Sequence, residues 1–131
     1  MTNCTPGPAR ILLADDNRDA ADSLAIFLGL WGYEVCVVHD GWSAYRAGLA
    51  FRPQIAIFDV QMPGLHGGEV ARRLRQALEP EEPFFIATSA TDPLDQRLVE
   101  YEGVFDSYLI KPYNLDRLEH LLANSTVHAG A

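Results

Sequence analysis

Five short apolar runs punctuate the chain, at 11–14, 34–38, 55–58, 84–88 and 107–110, and a longer amphipathic segment follows each one. Runs of this length are strand-sized, whereas the segments between them show the helical period. Leu24, Phe27, Leu28 and Trp31 fall at i, i+3, i+4 and i+7 between Asp19 and Gly32, which predicts a helix with one buried stripe. The same reasoning predicts helices at 42–50, 67–78, 93–101 and 115–123. Ile55, Ala56, Ile57 and Phe58 are apolar at consecutive positions, so that strand is buried on both faces. Strands of this kind alternating with helices form a parallel sheet covered on both sides, and right-handed crossovers make it a doubly wound α/β sandwich.

Residues 1–9, with Pro6, Gly7 and Pro8 and no apolar period, read as a flexible leader. The domain then runs from Arg10 to about Ala123, and 124–131 reads as a flexible tail. A chain of 131 residues, 48% of them hydrophobic, suits one domain with a core that needs no staples. Cys4 and Cys36 are too few for a disulfide scaffold and point to a reducing cytoplasm. No apolar run reaches the about 18 residues that span a bilayer, and the N-terminus lacks a secretory pattern. Ten Lys and Arg against eighteen Asp and Glu leave a formal charge of −8, which argues against direct DNA binding. Cations, phosphate brought by a partner, and proteins remain as ligands.

Ligands of an open parallel sheet collect outside the carboxyl ends of its strands. There the sequence places Asp15 and Asp16 after the first run, Asp59 after the third, Ser89 after the fourth, and Lys111 with Pro112 after the fifth. Val38, His39 and Asp40, at the end of the second run, offer nothing as pointed. Asp59 follows a buried run and has negative neighbours, and both effects raise a carboxylate pKa unless a cation compensates. A divalent ion held by Asp16, Asp59 and a backbone carbonyl, with Asp15 directed at it directly or through water, would compensate. Oxygen ligands of this kind suit Mg²⁺. Lys111 adds positive charge from the other side. A carboxylate so placed is also a nucleophile toward phosphorus, with Lys111, the Ser89 hydroxyl and backbone N–H groups around the transferred group.

Singly, each residue has an ordinary reading. Asp15, Asp16 and Asn17 suit a turn or helix cap, and Asp59 could cap the Met62-Pro63-Gly64 loop. Ser89 could be a loop hydroxyl and Lys111 a solvated strand-end lysine. Their joint placement at one sheet edge favours a site.

ILLADDN (11–17), IAIFDVQMPGLHG (55–67), ATSA (87–90) and YLIKP (108–112) stand in family order and spacing, and 10–123 resembles the receiver domain of bacterial two-component response regulators. The resemblance implies a flavodoxin-like, chemotaxis-regulator type of fold, a five-stranded parallel sheet in the order 2-1-3-4-5 with helices on both faces. It implies that Asp59 accepts a phosphoryl group from a sensor histidine kinase or a histidine phosphotransfer protein. Asp15 and Asp16 would hold Mg²⁺, or Mn²⁺ in its place, with Asp59 and the backbone carbonyl of Gln61. Ser89 would be the switch hydroxyl, Lys111 the salt-bridge partner and Tyr108 the aromatic switch, although Tyr108 also suits an ordinary strand position. The Lys111–Pro112 bond would be cis. Gln61 and Thr91 would border the phosphoryl group and set its lifetime.

The implied function is a cytoplasmic phosphorylation switch that works through a protein-interaction face built from 93–101, 107–110 and 115–123. Kinase recognition would run through the first helix, around 20–27. Its chemistry would be confined to its own phosphotransfer and dephosphorylation, so it is not classed as an enzyme. Met1 and short tails suggest a free-standing module whose output belongs to another protein; a relay shuttle or a receiver excised from a hybrid histidine kinase are alternatives. A haloacid-dehalogenase-type phosphohydrolase also uses an aspartate nucleophile and Mg²⁺, but needs a second Asp where Gln61 stands. An interaction domain with a vestigial site is a third reading.

The glycines at 64, 67 and 68 do not fit the phosphate-binding pattern and read as a flexible loop. Arg72, Arg73 and Arg75 read as a solvated face, Trp31 and Trp42 as packing residues. His39, His66, His120 and His128 show no metal-ligand spacing and receive no role.

Overall fold

The computed structural model describes residues 9–89, 101 and 103–129. Residues 1–8 of the predicted leader, Thr91, and the predicted helix at 93–101 apart from Tyr101 lie outside the described residues. Strands β1 (Arg10–Ala14), β2 (Glu34–Val38), β3 (Ile55–Asp59), β4 (Phe84–Ser89) and β5 (Ser107–Ile110) form one parallel sheet in the order β2-β1-β3-β4-β5. Helices α1 (Arg18–Leu30), α2 (Gly41–Phe51), α3 (Gly67–Leu78) and α4 (Leu115–Ala129) cover it.

The two-residue period of the strands divides the core. Leu12, Ala14, Ala56, Phe58 and Phe85 face one side and pack with Ala44 of α2 and Val70, Leu74 and Leu78 of α3. Ile11, Leu13, Ile55, Ile57 and Ile86 face the other and pack with Ala21, Leu24 and Leu28 of α1 and Leu118 and Leu122 of α4. β3 lies at the centre, so all five of its residues are buried, whereas the edge strands β2 and β5 are largely half-buried. At Gly48 a side chain would strike the Leu74 methyls at 2.6 Å, so its absence lets α2 and α3 close together. Among the described residues no helix is long and apolar enough to cross a membrane.

Two predicted boundaries need correction. α1 begins at Arg18, capped by Asn17, rather than at Asp19: the Asn17 side-chain oxygen accepts the Ala20 N–H at 3.0 Å, the ordinary work of an N-cap. α4 does not stop at Ala123 before a tail, because the polar residues there are absorbed by the helix. Ser125 is fully buried, and its hydroxyl donates to the Leu122 carbonyl at 2.8 Å.

Candidate functional site

The register of the sheet assembles the site. Ala14 pairs with Phe58, Asp59 with Thr88 and Ser89 with Ile110, so Asp15, Asp59, Ser89 and Lys111 emerge along one carboxyl edge. Asp15 and Asp59 are buried, each 7% exposed, while Asp16 is exposed. Each buried carboxylate is held twice. Asp15 Oδ1 accepts the Asn17 N–H at 2.9 Å and Asp59 Oδ1 accepts the Gln61 N–H at 3.0 Å. Lys111 Nζ donates to Asp15 Oδ2 at 2.9 Å and to Asp59 Oδ2 at 3.2 Å. In each of these aspartates one oxygen serves the local turn and the other faces the shared lysine.

Asp15, Asp16 and Asp59 each offer a carboxylate oxygen, all within 4.8 Å of one another. Ligands on opposite sides of Mg²⁺ lie about 4.2 Å apart, so an all-oxygen donor set at this spacing fits a small hard cation. Three carboxylates facing one ammonium leave two negative charges in excess, the charge that one divalent ion offsets. Burial is the main influence raising the Asp59 pKa, and Asp15 adds to it; the Gln61 N–H and Lys111 pull the other way without cancelling the rise. Burial alone would lower the pKa of Lys111, but its hydrogen bonds and charge pairing with Asp15 and Asp59 outweigh it and raise the value.

Ser89 ends β4 almost fully buried, and its carbonyl accepts the Lys111 N–H at 2.7 Å, which fixes the lysine backbone beside the serine. The Lys111–Pro112 bond is cis. Tyr108 lies in β5, half-buried, with its ring edge against Phe105 at 5.8 Å between centroids.

The glycine stretch after β3 is not the flexible loop the sequence suggests. Gly67 N–H donates to the Val60 carbonyl at 3.3 Å, folding the loop back on the strand. A Cβ at Gly67 would lie 2.7 Å from the Asp59 carbonyl oxygen and 3.0 Å from Val60 Cα. The loop that carries Gln61 is thus closed by backbone packed on backbone. His66 caps α3 by accepting the Gly68 N–H at Nδ1, 2.9 Å away, and its ring stacks on Tyr101 at 4.8 Å.

Other residues also depart from their sequence reading. Arg75 is no solvated arginine: it donates to the Val104 carbonyl at 2.7 Å, Glu82 at 2.9 Å and Asp106 at 2.8 Å. Arg72 and Arg73 keep to a half-exposed helix face, as the sequence predicts, and both pair with Glu69. Trp42 packs at the surface: it is 44% exposed, with the Arg73 guanidinium 5.5 Å above its ring. His39, passed over in the sequence, touches the site: its Nδ1 lies 2.9 Å from the Asp15 carbonyl oxygen. No sequence signal marked it: its place follows from the strand register, which sets Val38 beside Ala14.

The sequence profile of the response regulator receiver domain matches residues 11–123. Response regulator MprA of Mycolicibacterium vanbaalenii is 36% identical over 128 residues, covering 95% of this chain and 54% of that protein. MprA of Mycobacterium tuberculosis H37Ra is 38% identical over 109 residues, covering 83% and 46% respectively. The chain thus spans about half the length of the curated relatives it matches. Chemotaxis response regulator CheY4 of Vibrio cholerae superposes with a TM-score of 0.79 at 25% identity, over 90% of this chain and 98% of that one. Response regulator TrrA of Thermotoga maritima, solved in complex with Mg²⁺-BeF, gives 0.78 at 26% identity, over 89% and 98%. With the profile covering nearly the whole sheet-and-helix unit and the acidic cluster standing at its carboxyl edge, the chain belongs to the response regulator receiver domain family.

Proposed function

We propose that Asp59 is the phosphoryl acceptor of a Mg²⁺-dependent switch, charged by a phosphohistidine on a sensor histidine kinase or phosphotransfer protein. The observation that carries this reading is the doubly held, buried Asp59 carboxylate, sharing Lys111 with Asp15 and standing within ligand distance of Asp15 and Asp16. An Asp59 oxygen forms the new O–P bond as the N–P bond of the donor breaks, and the imidazole leaves with the bonding pair and takes a proton from solvent. Asp15, Asp16, Asp59 and the Gln61 carbonyl would hold the ion, with Mn²⁺ as a substitute. When bound, the ion supplies charge stabilisation to the oxygens of the transferred group. Lys111 partly offsets the rise that burial imposes on the acceptor's pKa and offers its ammonium to the incoming phosphoryl oxygens. The Ser89 hydroxyl, two strand ends from Asp15, reaches the same oxygens, and Tyr108 follows its movement as the aromatic switch.

The switching unit is assigned to 10–123, with α4 carrying its last helix on to Ala129, and its chemistry is confined to its own phosphorylation and dephosphorylation. Its output is read as a change in protein contacts in the cytoplasm, without direct DNA binding. A phosphohydrolase of the haloacid-dehalogenase type is not favoured, because Gln61 has no carboxyl to act as the second acid. The test is beryllofluoride with Mg²⁺, followed by amide NMR. Wild type is expected to shift at Ser89 and along β5, and Asp59→Asn to remain unchanged; a wild type that does not respond overturns the assignment.

A further inference from the structure

The β1–β2 ladder does not end at its last paired residues. The Asp15 N–H donates to the Val38 carbonyl at 3.1 Å, one step beyond the Ala14–Val38 pair. In a parallel pair the next bond runs from the neighbouring strand to the carbonyl of that same residue. Here the chain leaves the sheet: the Asp40 side chain caps α2, accepting the Ser43 N–H and the Ser43 hydroxyl, both at 2.8 Å. The imidazole of His39 meets the Asp15 carbonyl instead, with Nδ1 at 2.9 Å. A carbonyl oxygen carries no proton, so Nδ1–H is the donor.

The peptide gripped in this way joins Asp15 to Asp16. Turning its plane would swing the Asp16 backbone, and with it a carboxylate that must converge on two others of the same charge. Lys111 restrains the side chains of Asp15 and Asp59. The main chain on either side of Asp15 is restrained by strand β2 and its end, the Ala14–Asp15 peptide through Val38 and the Asp15–Asp16 peptide through His39. We propose that His39 is a positioning residue of the metal site: its Nδ1–H replaces the missing ladder donor and holds the Asp15–Asp16 peptide so that both carboxylates face the ion. This rests on the receiver reading of the acidic cluster. Contacts that orient metal ligands commonly govern affinity by about tenfold or more.

The position of the donor makes the idea sharply testable. An asparagine at 39 carries its side-chain N–H at the branch that Nδ1 occupies, whereas a glutamine carries it one bond farther out. The experiment titrates Mg²⁺ calorimetrically into wild type, His39→Ala, His39→Asn and His39→Gln, and records amide exchange of Asp16 and Asn17 in chelator. Imidazole ¹⁵N NMR of the metal-free wild type locates the ring proton. Expected are roughly tenfold weaker Mg²⁺ binding and faster exchange in the Ala and Gln variants. The Asn variant stays near wild type, and the proton sits on Nδ1. Wild-type affinity in His39→Ala, equal rescue by Gln and Asn, or an unprotonated Nδ1 overturns the proposal. Where His39→Ala fails to fold, the Asn and Gln pair and the ring proton decide. A wild type that binds no Mg²⁺ refutes the receiver reading of the site and with it the metal role of His39. In that event the ring proton and the exchange rates still show whether the clamp exists.

Discussion

Asp59 and Asp40 are two carboxylates placed at strand ends with opposite consequences for stability. Burial raises the folded-state pKa of Asp59 above its unfolded value, so the native state binds the proton more readily. Stability therefore falls as pH rises through the window between the two values, and the cost is complete above it. Asp59→Asn is expected to stabilise the metal-free protein at neutral pH by about 1 kcal/mol in urea melts with chelator, an advantage that narrows on acidification. Asp40 behaves in the reverse sense. The backbone N–H of Ser43, then its hydroxyl, lowers the Asp40 pKa, so its contribution is present above the ordinary carboxylate value and is lost as pH falls toward the lowered one. Asp40→Ala should cost about 1 kcal/mol at neutral pH, the usual worth of a helix N-cap, and progressively less in acid. Parallel urea melts across pH check both slopes.

At the scale of elements, what the sequence made legible was residue type at the ends of periodic runs. Asp15, Asp59, Ser89 and Lys111 could be placed because a buried run must end at a sheet edge, and the polar residue after it must lie on that edge. His39 and Arg75 were illegible because their partners are main-chain carbonyls, at Asp15 and Val104, and carbonyls are alike in every residue. Which carbonyl a side chain meets depends on register, and register appears only once the strands are paired. The same limit hid the tightness of the loop after β3. Gly67→Ala would set a methyl against the Asp59 carbonyl and Val60 Cα, backbone that can move only by shifting the Gln61 turn. It should destabilise by about 2 kcal/mol and weaken the beryllofluoride response. Gly29→Ala is the contrasting case: the added methyl would meet open space on exposed α1, and helix propensity alone should stabilise by about 0.5–1 kcal/mol. Equilibrium unfolding of the two variants separates steric cost from propensity.

For the molecule as a whole, a ligand that binds only the folded state must stabilise all of it. Mg²⁺ at ten times its dissociation constant should add about 1.4 kcal/mol, read as an upward shift of several degrees in the melting temperature. Asp15→Asn and Asp16→Asn should each flatten that response. The two edges of the sheet are secured by different means. At the amino edge Arg10 fastens β1 to the turn after α2, donating to the Phe51 carbonyl at 3.0 Å and the Arg52 carbonyl at 2.6 Å. Arg75 fastens α3 to the approach to β5 through Val104 and Asp106, and Asp106 also accepts the Phe85 N–H of β4 at 2.8 Å. These are rivets, independent of any ion. The carboxyl edge is closed by a balance of like and unlike charges around Lys111, which one arriving ion or phosphoryl group is expected to reset. The sheet is in effect a leaf spring clamped at one end: charge arriving at the free end is expected to deflect the loops there, while the clamped end would keep the strands in step.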